Sequence, residues 1–264
     1  MTTIGEVAQF LETFAPSALA AEWDNVGLLL GDRARPAAQV MTCLTVTPAV
    51  VEEALAERVD LIVAHHPLPF RPVKSITADS YSGGLLWKLA SAGVSVYSPH
   101  TAFDSAADGI NRRLADGLGL VDLQPLEPIA ASSDPRVGVG RHGRLPRPTS
   151  LRDFTSLAKQ FLRIDAIDVV GADTRMLKHV GIACGSAGEL MNAAIDAGCD
   201  AFVTGEARFH TAVEADALGI ALVLVGHYAG ERFGVEHLAG IVGSAFPHLT
   251  AWAARRESDP LRRV

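Results

Sequence analysis

"VMTCLTVTPAVVEEALAERVDLIVAHH", residues 40–66, decides the fold. Its first nine residues, "VMTCLTVTP", read as a strand, "AVVEEALAERV" carries helical periodicity, and "DLIVAH" is a second aliphatic strand. Strand, helix and strand in that order make a βαβ unit. Strands with apolar residues on both faces, alternating with amphipathic helices, imply a parallel sheet covered on both sides. Upstream, Ile4, Val7, Phe10, Leu11 and Phe14 fall on one helical face and Pro16 stops that helix. Downstream, "SGGLLWKLASAG" is a helix closed by Gly93, "VSVYSP" a third strand, and "TAFDSAADGINRRLADGLGL" a single helix ending in glycines.

The stretch 124–150, with five prolines, breaks this rhythm and reads as the connection between halves. The rhythm then returns: helix "SLRDFTSLAKQFL", strand "HVGIAC", helix "AGELMNAAIDAG", strand "DAFVTG", helix "EARFHTAVEADALG", strand "IALVLVG" and helix "ERFGVEHLAGIVGSAF". "GVSVYSPHTAFD" and "IALVLVGHYAGE" share one plan, an aliphatic strand, a histidine and a carboxylate four residues on. The expected fold is therefore α/β, with two similar α/β subdomains whose largely parallel sheets face a shared cleft. The first subdomain is expected in residues 1–125, and the connection and second subdomain in 126–264.

With 264 residues, 48% hydrophobic and 20% charged, the chain has the balance of an ordinary globular protein rather than a disordered or fibrous one. A net charge of -7 argues against a broad electrostatic grip on nucleic acid or on an anionic membrane. The one basic cluster, "RRESDPLRR" at 255–263, reads as a solvated chain end. The N-terminal stretch has neither a basic nor an apolar leader region and no window stays apolar long enough to span a bilayer, so a cytoplasmic location is expected. Cys43, Cys184 and Cys199 form no C-x-x-C pair. They fit a reducing compartment, argue against a cysteine zinc site, and read as buried small hydrophobes.

In open α/β sheets functional residues gather at the C-terminal edge of the strands. Here His65 and His66 follow one strand, His100 and Asp104 the next, Glu206 and His210 a third, and His227 and Glu231 a fourth. Each has a structural alternative: a histidine whose ring nitrogens bond to backbone, Asp104 completing a capping box with Thr101, Glu231 complementing a helix dipole. Four strand ends bearing such residues together favour a site. Successive side chains on an extended backbone point oppositely, so His65 and His66 do not readily chelate one ion, and two ions are expected. Imidazole and carboxylate without thiolate suit zinc, iron, manganese or another divalent metal.

The motifs "WDNVGLLLG", "AHHP", "SPHTAFD", "VGRHGRL", "TGEARFH" and "GHYAGE", running in this order from Trp23 to Glu231, resemble those of the GTP cyclohydrolase I type 2 homologues, the NGG-one-interacting factor three proteins. The resemblance implies metal ligands His65, His66, Asp104, His227 and Glu231, with Glu231 bridging the two ions, and acid–base or supporting roles for His100, Glu206 and His210. It also implies a dinuclear centre in a cleft between two subdomains and a toroidal homohexamer. Longer members carry a domain inserted between the halves, and the connection here is too short for one. The family's ending is similar to "SDPLRRV", which implies an ordered tail.

The activity implied is hydrolysis of GTP or another nucleotide or phosphorylated small molecule, in which a metal-activated water opens the guanine imidazole ring at carbon 8 and releases formate. His210 or Glu206 would move protons. Phosphate would bind at Gly185, Ser186 and Gly188 or through Arg141 and Arg208. Two other readings remain open at this level: a metal-storing or metal-delivering protein without turnover, and a ring that encircles nucleic acid. The acid–base surplus favours an enzyme, and the net charge disfavours the nucleic-acid ring.

Overall fold

Thr3 starts the first helix, α1 (Ile4–Phe14), with a capping box: its hydroxyl accepts the Glu6 N–H, and the Glu6 carboxylate accepts the Thr3 N–H at 2.7 Å. In this computed structural model, which describes residues 1–262, the chain continues through β1 (Gly27–Leu30), β2 (Gln39–Cys43), α2 (Pro48–Ala56), β3 (Leu61–Ala64), α3 (Tyr81–Ala92), β4 (Ser95–Ser98) and α4 (His100–Ser105). Then follow α5 (Ile110–Gly117), β5 (Val121–Gln124), β6 (Glu127–Pro128), β7 (Gly138–Val139), β8 (Arg141–Ser150), α6 (Leu151–Leu162), β9 (Asp168–Val170) and β10 (Met176–Ala183). The remainder is α7 (Met191–Asp196), β11 (Ala201–Thr204), α8 (Phe209–Leu218), β12 (Ala221–Leu224), α9 (His227–Ala245) and β13 (Thr250–Ala253).

Two compact units result. The first comprises Met1–Phe103 and Gly234–Pro260, and the second is built on Asp104–Phe233. A single cut after residue 125 does not separate them, because β13, near the end of the chain, pairs with β2 in parallel (Trp252 opposite Met41). The first unit has a five-stranded sheet in the order β1-β4-β3-β2-β13, parallel throughout except for β1 at its edge. The second has six strands in the order β5-β8-β10-β11-β12-β9, with a parallel centre of β10, β11 and β12 flanked by antiparallel partners.

The repeat read in the sequence is present in the topology. β1-β4-β3-β2 and β9-β12-β11-β10 have the same order and the same strand senses, one antiparallel edge followed by three parallel strands. The helices also correspond: α1 with α6, α2 with α7, α3 with α8 and α4 with α9. Each unit has its own core. In the first, Met41, Ile62 and Val96 of the sheet pack with Val50 and Leu86 of the helices; in the second, Phe202 and Leu222 pack with Met191 and Ala215.

Four sequence expectations change. The helix expected over 101–120 is two helices, α4 and α5, the latter starting after Gly109. The proline-rich connection contains β6, β7 and the ten-residue β8, because Pro146 and Pro148 lie in the part of β8 where the ladder to β10 is irregular, between the Arg144–His179 and Thr149–Leu177 pairs. The helix expected from Glu206 begins only at Phe209, which leaves Glu206 in a loop, and the last long helix begins earlier than expected, at His227.

The basic tail is tied down at residues 255–257, while the Arg255, Arg256 and Arg262 side chains are exposed as expected of a solvated chain end. The buried Glu53 carboxylate accepts the backbone N–H groups of Arg255 and Arg256 at 2.8–3.0 Å and the Trp252 indole N–H at 3.2 Å. Glu257 in turn accepts the N–H groups of Leu44 and Thr45 at 2.9 and 2.7 Å. Burial pushes the Glu53 carboxyl up, but the donors from Arg255, Arg256 and Trp252 outweigh it and hold the carboxyl below its usual range. The final two positions of the tail, Arg263 and Val264, lie outside the described residues.

Glu53→Ala leaves those partly buried N–H donors without this acceptor, and unfolding in urea is expected at a lower midpoint with unchanged slope, a loss of about 1–3 kcal/mol. The exposed neighbour variant Glu52→Ala is expected to stay within about 0.5 kcal/mol of the parent.

Candidate metal centre

In the first unit β3 ends at Ala64 and the chain bends, with the His65 and His66 N–H groups still bonded to the Cys43 and Leu44 carbonyls at 2.9 and 2.8 Å. The bend changes the geometry expected for an extended chain. Instead of opposed side chains, the two rings lie 5.2 Å apart between centroids, and His65, His66 and His100 each offer a ligand atom within 4.8 Å of the others. Alternation of side chains holds only while the backbone remains extended, which it does not here. His65 is 0% exposed, and its carbonyl accepts the Ser98 hydroxyl at 2.7 Å.

Two of these rings are held at Nδ1. His66 Nδ1 lies 2.7 Å from the Thr45 hydroxyl, and His100 Nδ1 lies 2.8 Å from Asp24 Oδ1. The other Asp24 oxygen accepts both the N–H and the hydroxyl of Thr101. Burial pushes the Asp24 carboxyl up, but the hydrogen bonds from His100 and Thr101 prevail and hold it at about 2. An ionised Asp24 therefore fixes the Nδ1–H tautomer of His100 and leaves Nε2 as the ring's lone-pair nitrogen. His100 itself has φ +25°, a left-handed value at the first residue of α4. Thr101 lies inside α4 and gives both its N–H and its hydroxyl to Asp24, so it does not take the N-cap place of a capping box with Asp104. Trp23 and Phe70, 64% and 47% exposed, lie with ring centroids 6.0 and 6.1 Å from that of His100.

The second unit repeats the device. His227 begins α9 as His100 begins α4, and its Nδ1 lies 3.1 Å from Glu206 Oε1. Its Nε2 is 3.0 Å from Glu231 Oε2, one helical turn on. The hydrogen bond to the buried Glu231 carboxylate, with help from Glu206, raises His227 to about 9 against the cost of burial. Gly185 makes room for this pair: it has φ +68°, and a Cβ there would stand 2.6 Å from Glu231 Oε1. Asp104 approaches the same loop, with Oδ1 3.5 Å from Cys184 Sγ. Asn111, buried beside it, donates to the Asp104 carbonyl and accepts the Cys184 N–H at 2.8 Å. Burial, with the Asp104 and Glu231 charges, pushes the Cys184 thiol far up and keeps it protonated.

Within each unit the folding therefore groups the expected residues: His65, His66 and His100 in one, His227, Glu231 and Glu206 in the other. His210 is not brought in with them. It is exposed on α8, its ring lies 6.0 Å from that of Phe209, and it makes no hydrogen bond among the described residues. Because Glu206 precedes α8, the two do not share a helical face. Arg141 is not available to phosphate either. Its buried guanidinium donates to the carbonyls of Gly138, Gly140 and Ala106 at 2.5–2.6 Å, and burial lowers it to about 10. At the proposed phosphate loop, the Ala187 N–H is already given to the Thr204 hydroxyl. Sequence reasoning missed the roles of Asp24 and Thr45. Asp24 sat inside the quoted "WDNVGLLLG", but no spacing tied it to a histidine 76 residues away.

Comparison with known proteins agrees with this architecture. The chain is 35% identical over 238 residues to the protein NIF3 homolog of Schizosaccharomyces pombe, covering 86% of this chain and 84% of that protein. It is 29% identical over 228 residues to the GTP cyclohydrolase 1 type 2 homolog of Clostridium acetobutylicum, covering 86% and 85%. Among solved structures, the Staphylococcus aureus hypothetical protein SA1388 superposes with a TM-score of 0.90 at 26% identity over 100% of this chain and 99% of its own. Reduced HcgD from Methanocaldococcus jannaschii gives 0.81 at 25% identity, over 96% and 98%. The family described as Duf34/NIF3 (NGG1p interacting factor 3) matches residues 2–260, and with nearly the whole length accounted for, the chain belongs to that family.

Proposed function

We propose that the chain is a dinuclear metal-dependent hydrolase of GTP or another nucleotide or phosphorylated small molecule, with His65, His66, Asp104, His227 and Glu231 as ligands of two divalent ions such as zinc, iron or manganese. The observation that carries the reading is the anchoring of imidazoles by carboxylates at Nδ1, Asp24 on His100 and Glu206 on His227. This is the arrangement by which proteins orient metal-binding histidines, and a core histidine has no need of it twice at equivalent positions. The donor set fits borderline first-row ions, since it offers imidazole nitrogen and carboxylate oxygen. Such ions supply Lewis acidity and activation of water near neutral pH.

The chain's own residues supply the rest. Asp24 holds His100 with Nε2 directed away from the carboxylate, which suits His100 either to a ligand position beside His65 and His66 or to taking a proton there. Glu206, half exposed, orients His227 and can accept a proton from it. His210, exposed and unanchored, serves as a proton carrier to solvent in this reading. Trp23 and Phe70 present exposed rings beside His100, and such a pair suits the stacking of a planar base. The name of the Clostridium acetobutylicum relative supports a nucleotide over other phosphorylated compounds. Among the described residues no helix is long and apolar enough to cross a membrane. The homohexameric toroid belongs to the same reading, and sedimentation of the purified chain tests it.

Emission analysis of protein purified without chelator is expected to show more than one divalent ion per chain, with most of the content held by the dinuclear ligands lost in the His227→Ala, Glu231→Ala double variant. Full retention would falsify the ligand assignment. A screen of nucleotides with the loaded protein is expected to find formate-releasing or phosphate-ester hydrolysis that the double variant lacks. Asp24→Asn is expected to stay folded while its metal affinity in chelator competition drops by about 10–100-fold. An unchanged affinity would instead leave His100 with the proton-transfer role alone. In the chelated protein, the imidazolium of His227 stabilises the fold because its pKa is raised. That contribution is complete below the ordinary value of 6.5 and disappears as pH rises through about 9. Melting temperature should therefore fall across this window in the parent and less in His227→Ala.

A further inference from the structure

We propose that the second unit carries a separate mononuclear metal site made by His142, His179 and Cys199, of the nitrogen-and-thiolate kind that selects zinc or a similar borderline ion. His142 lies on β8 opposite Gly181 of β10, and His179 is two residues before Gly181 on the same strand. Residues two apart on a strand share a face, so the two imidazoles stand diagonally adjacent on one side of the sheet. Their facing nitrogens, His142 Nδ1 and His179 Nε2, are 2.8 Å apart. Cys199 completes the group: one ligand atom from each of the three residues lies within 4.8 Å of the other two.

Two features build this cluster into the fold. Gly181 has no side chain on the face it shares with the histidines, and a Cβ there would stand 2.8 Å from Ala194 of α7 and 3.5 Å from Cys199 Sγ. Glycine thus lets the helix approach the sheet, with the thiol at van der Waals distance beside it. Next to the cysteine, Asp200 Oδ2 accepts the N–H groups of Lys178 and His179 at 2.7 and 2.9 Å, and the Asp200 N–H donates to the His179 carbonyl at 2.8 Å. The turn bearing Cys199 is therefore fastened to the very residue that bears one of the imidazoles.

The chemistry fits a single ion. Burial and the neighbouring His179 lower His142, so the imidazole is neutral and has a lone pair to offer. Two tetrahedral nitrogen ligands of zinc stand about 3.3 Å apart, given bonds of about 2.0–2.1 Å, so the pair needs to open by only about half an ångström. In the metal-free state one proton is shared between the two facing nitrogens. On binding, the ring that held the shared proton takes it onto its far nitrogen, the other ring keeps the proton already there, and no imidazole proton is lost. The thiol does lose its proton: Cys199–SH and M²⁺ become a Cys199 thiolate–metal bond and one released H⁺. Burial and the Asp200 charge push that thiol up to about 12, so binding must strengthen as pH rises. All three residues are half-buried, which leaves an approach for the ion and a fourth coordination position for water.

Cobalt(II) titrated into the chelated full-length chain tests the site, because a cobalt–thiolate bond gives a charge-transfer band in the near ultraviolet that imidazole and carboxylate ligands do not. The expected result is a band whose final intensity corresponds to one thiolate-bound cobalt per chain, and which disappears in Cys199→Ser and persists in Cys184→Ala. The His142→Gln and His179→Gln variants, each checked for native circular dichroism, are expected to need more cobalt to reach the same band. The proposed dinuclear ligands contain no thiolate, so His227→Ala, Glu231→Ala is expected to keep it. Absence of a thiolate band in the parent, or its survival in Cys199→Ser, overturns the proposal without bearing on the dinuclear centre.

Discussion

One carboxylate in each unit sets the register on which everything else is hung. Asp60 Oδ2 accepts the N–H groups of Ala38 and Gln39 at 2.8 and 2.9 Å, just before β3 pairs with β2, and Asp200 does the same to Lys178 and His179 before β11 pairs with β10. Their backbones extend the clasp: Asp60 N–H donates to Gln39 and its carbonyl accepts from Ser95, while Asp200 N–H donates to His179 and its carbonyl accepts from Ala221. Each aspartate thus joins three adjacent parallel strands at their N-terminal ends. Parallel strands lack a tight turn to fix their alignment, so a side chain that grips the neighbour's backbone takes over that task. With the register fixed there, the strands of each unit end at matched heights, where the histidines and acids follow.

What the strand ends deliver is then oriented by a second set of carboxylates. Asp24 and Glu206 act on Nδ1 of His100 and His227, and the two histidines occupy the same place in the repeat, the first residue of the helix after the third parallel strand. The electrostatics follow from that pairing. Asp24 is held ionised to about 2, and His227 is held protonated to about 9 in the absence of metal. A divalent ion taken up at His227 Nε2 would displace the proton that this ring shares with Glu231, as expected where binding is linked to protonation.

Buried polar groups elsewhere are satisfied by backbone rather than by opposite charges. Arg141 spends its guanidinium on carbonyl oxygens, Glu53 spends its carboxylate on N–H groups, and Asn111 joins the Asp104 carbonyl to the Cys184 N–H. Burying such groups is costly unless their hydrogen bonds are satisfied, and each of these is satisfied at least in part by a distant segment: Ala106 for Arg141, residues 255 and 256 for Glu53, Cys184 for Asn111. The same residues that look like surface or ligand-binding charges in the sequence are therefore braces for irregular backbone, which is why the arginine reading as a phosphate partner did not survive folding.

The sequence alone determined the parts of this protein that local periodicity controls. Aliphatic runs of strand length alternating with amphipathic helices dictated a parallel α/β arrangement, the echo of "SPHTAFD" in "GHYAGE" showed the repeat, and the ends of the strands marked where His65, His66, His100, His227 and Glu231 would fall. Edge strands β1, β5, β9 and β13 were not legible, since short segments with mixed burial have no period of their own, and β13 joins a partner some two hundred residues earlier. Only the tertiary structure decided which groups meet. The bend after Ala64 turned two adjacent histidines toward each other, Asp24 reached His100, and Cys199 arrived beside His142 and His179 instead of lying buried as a small hydrophobe. Those encounters depend on register and on turns between distant segments, quantities that a linear pattern does not contain because they arise only when strands far apart in the chain pair.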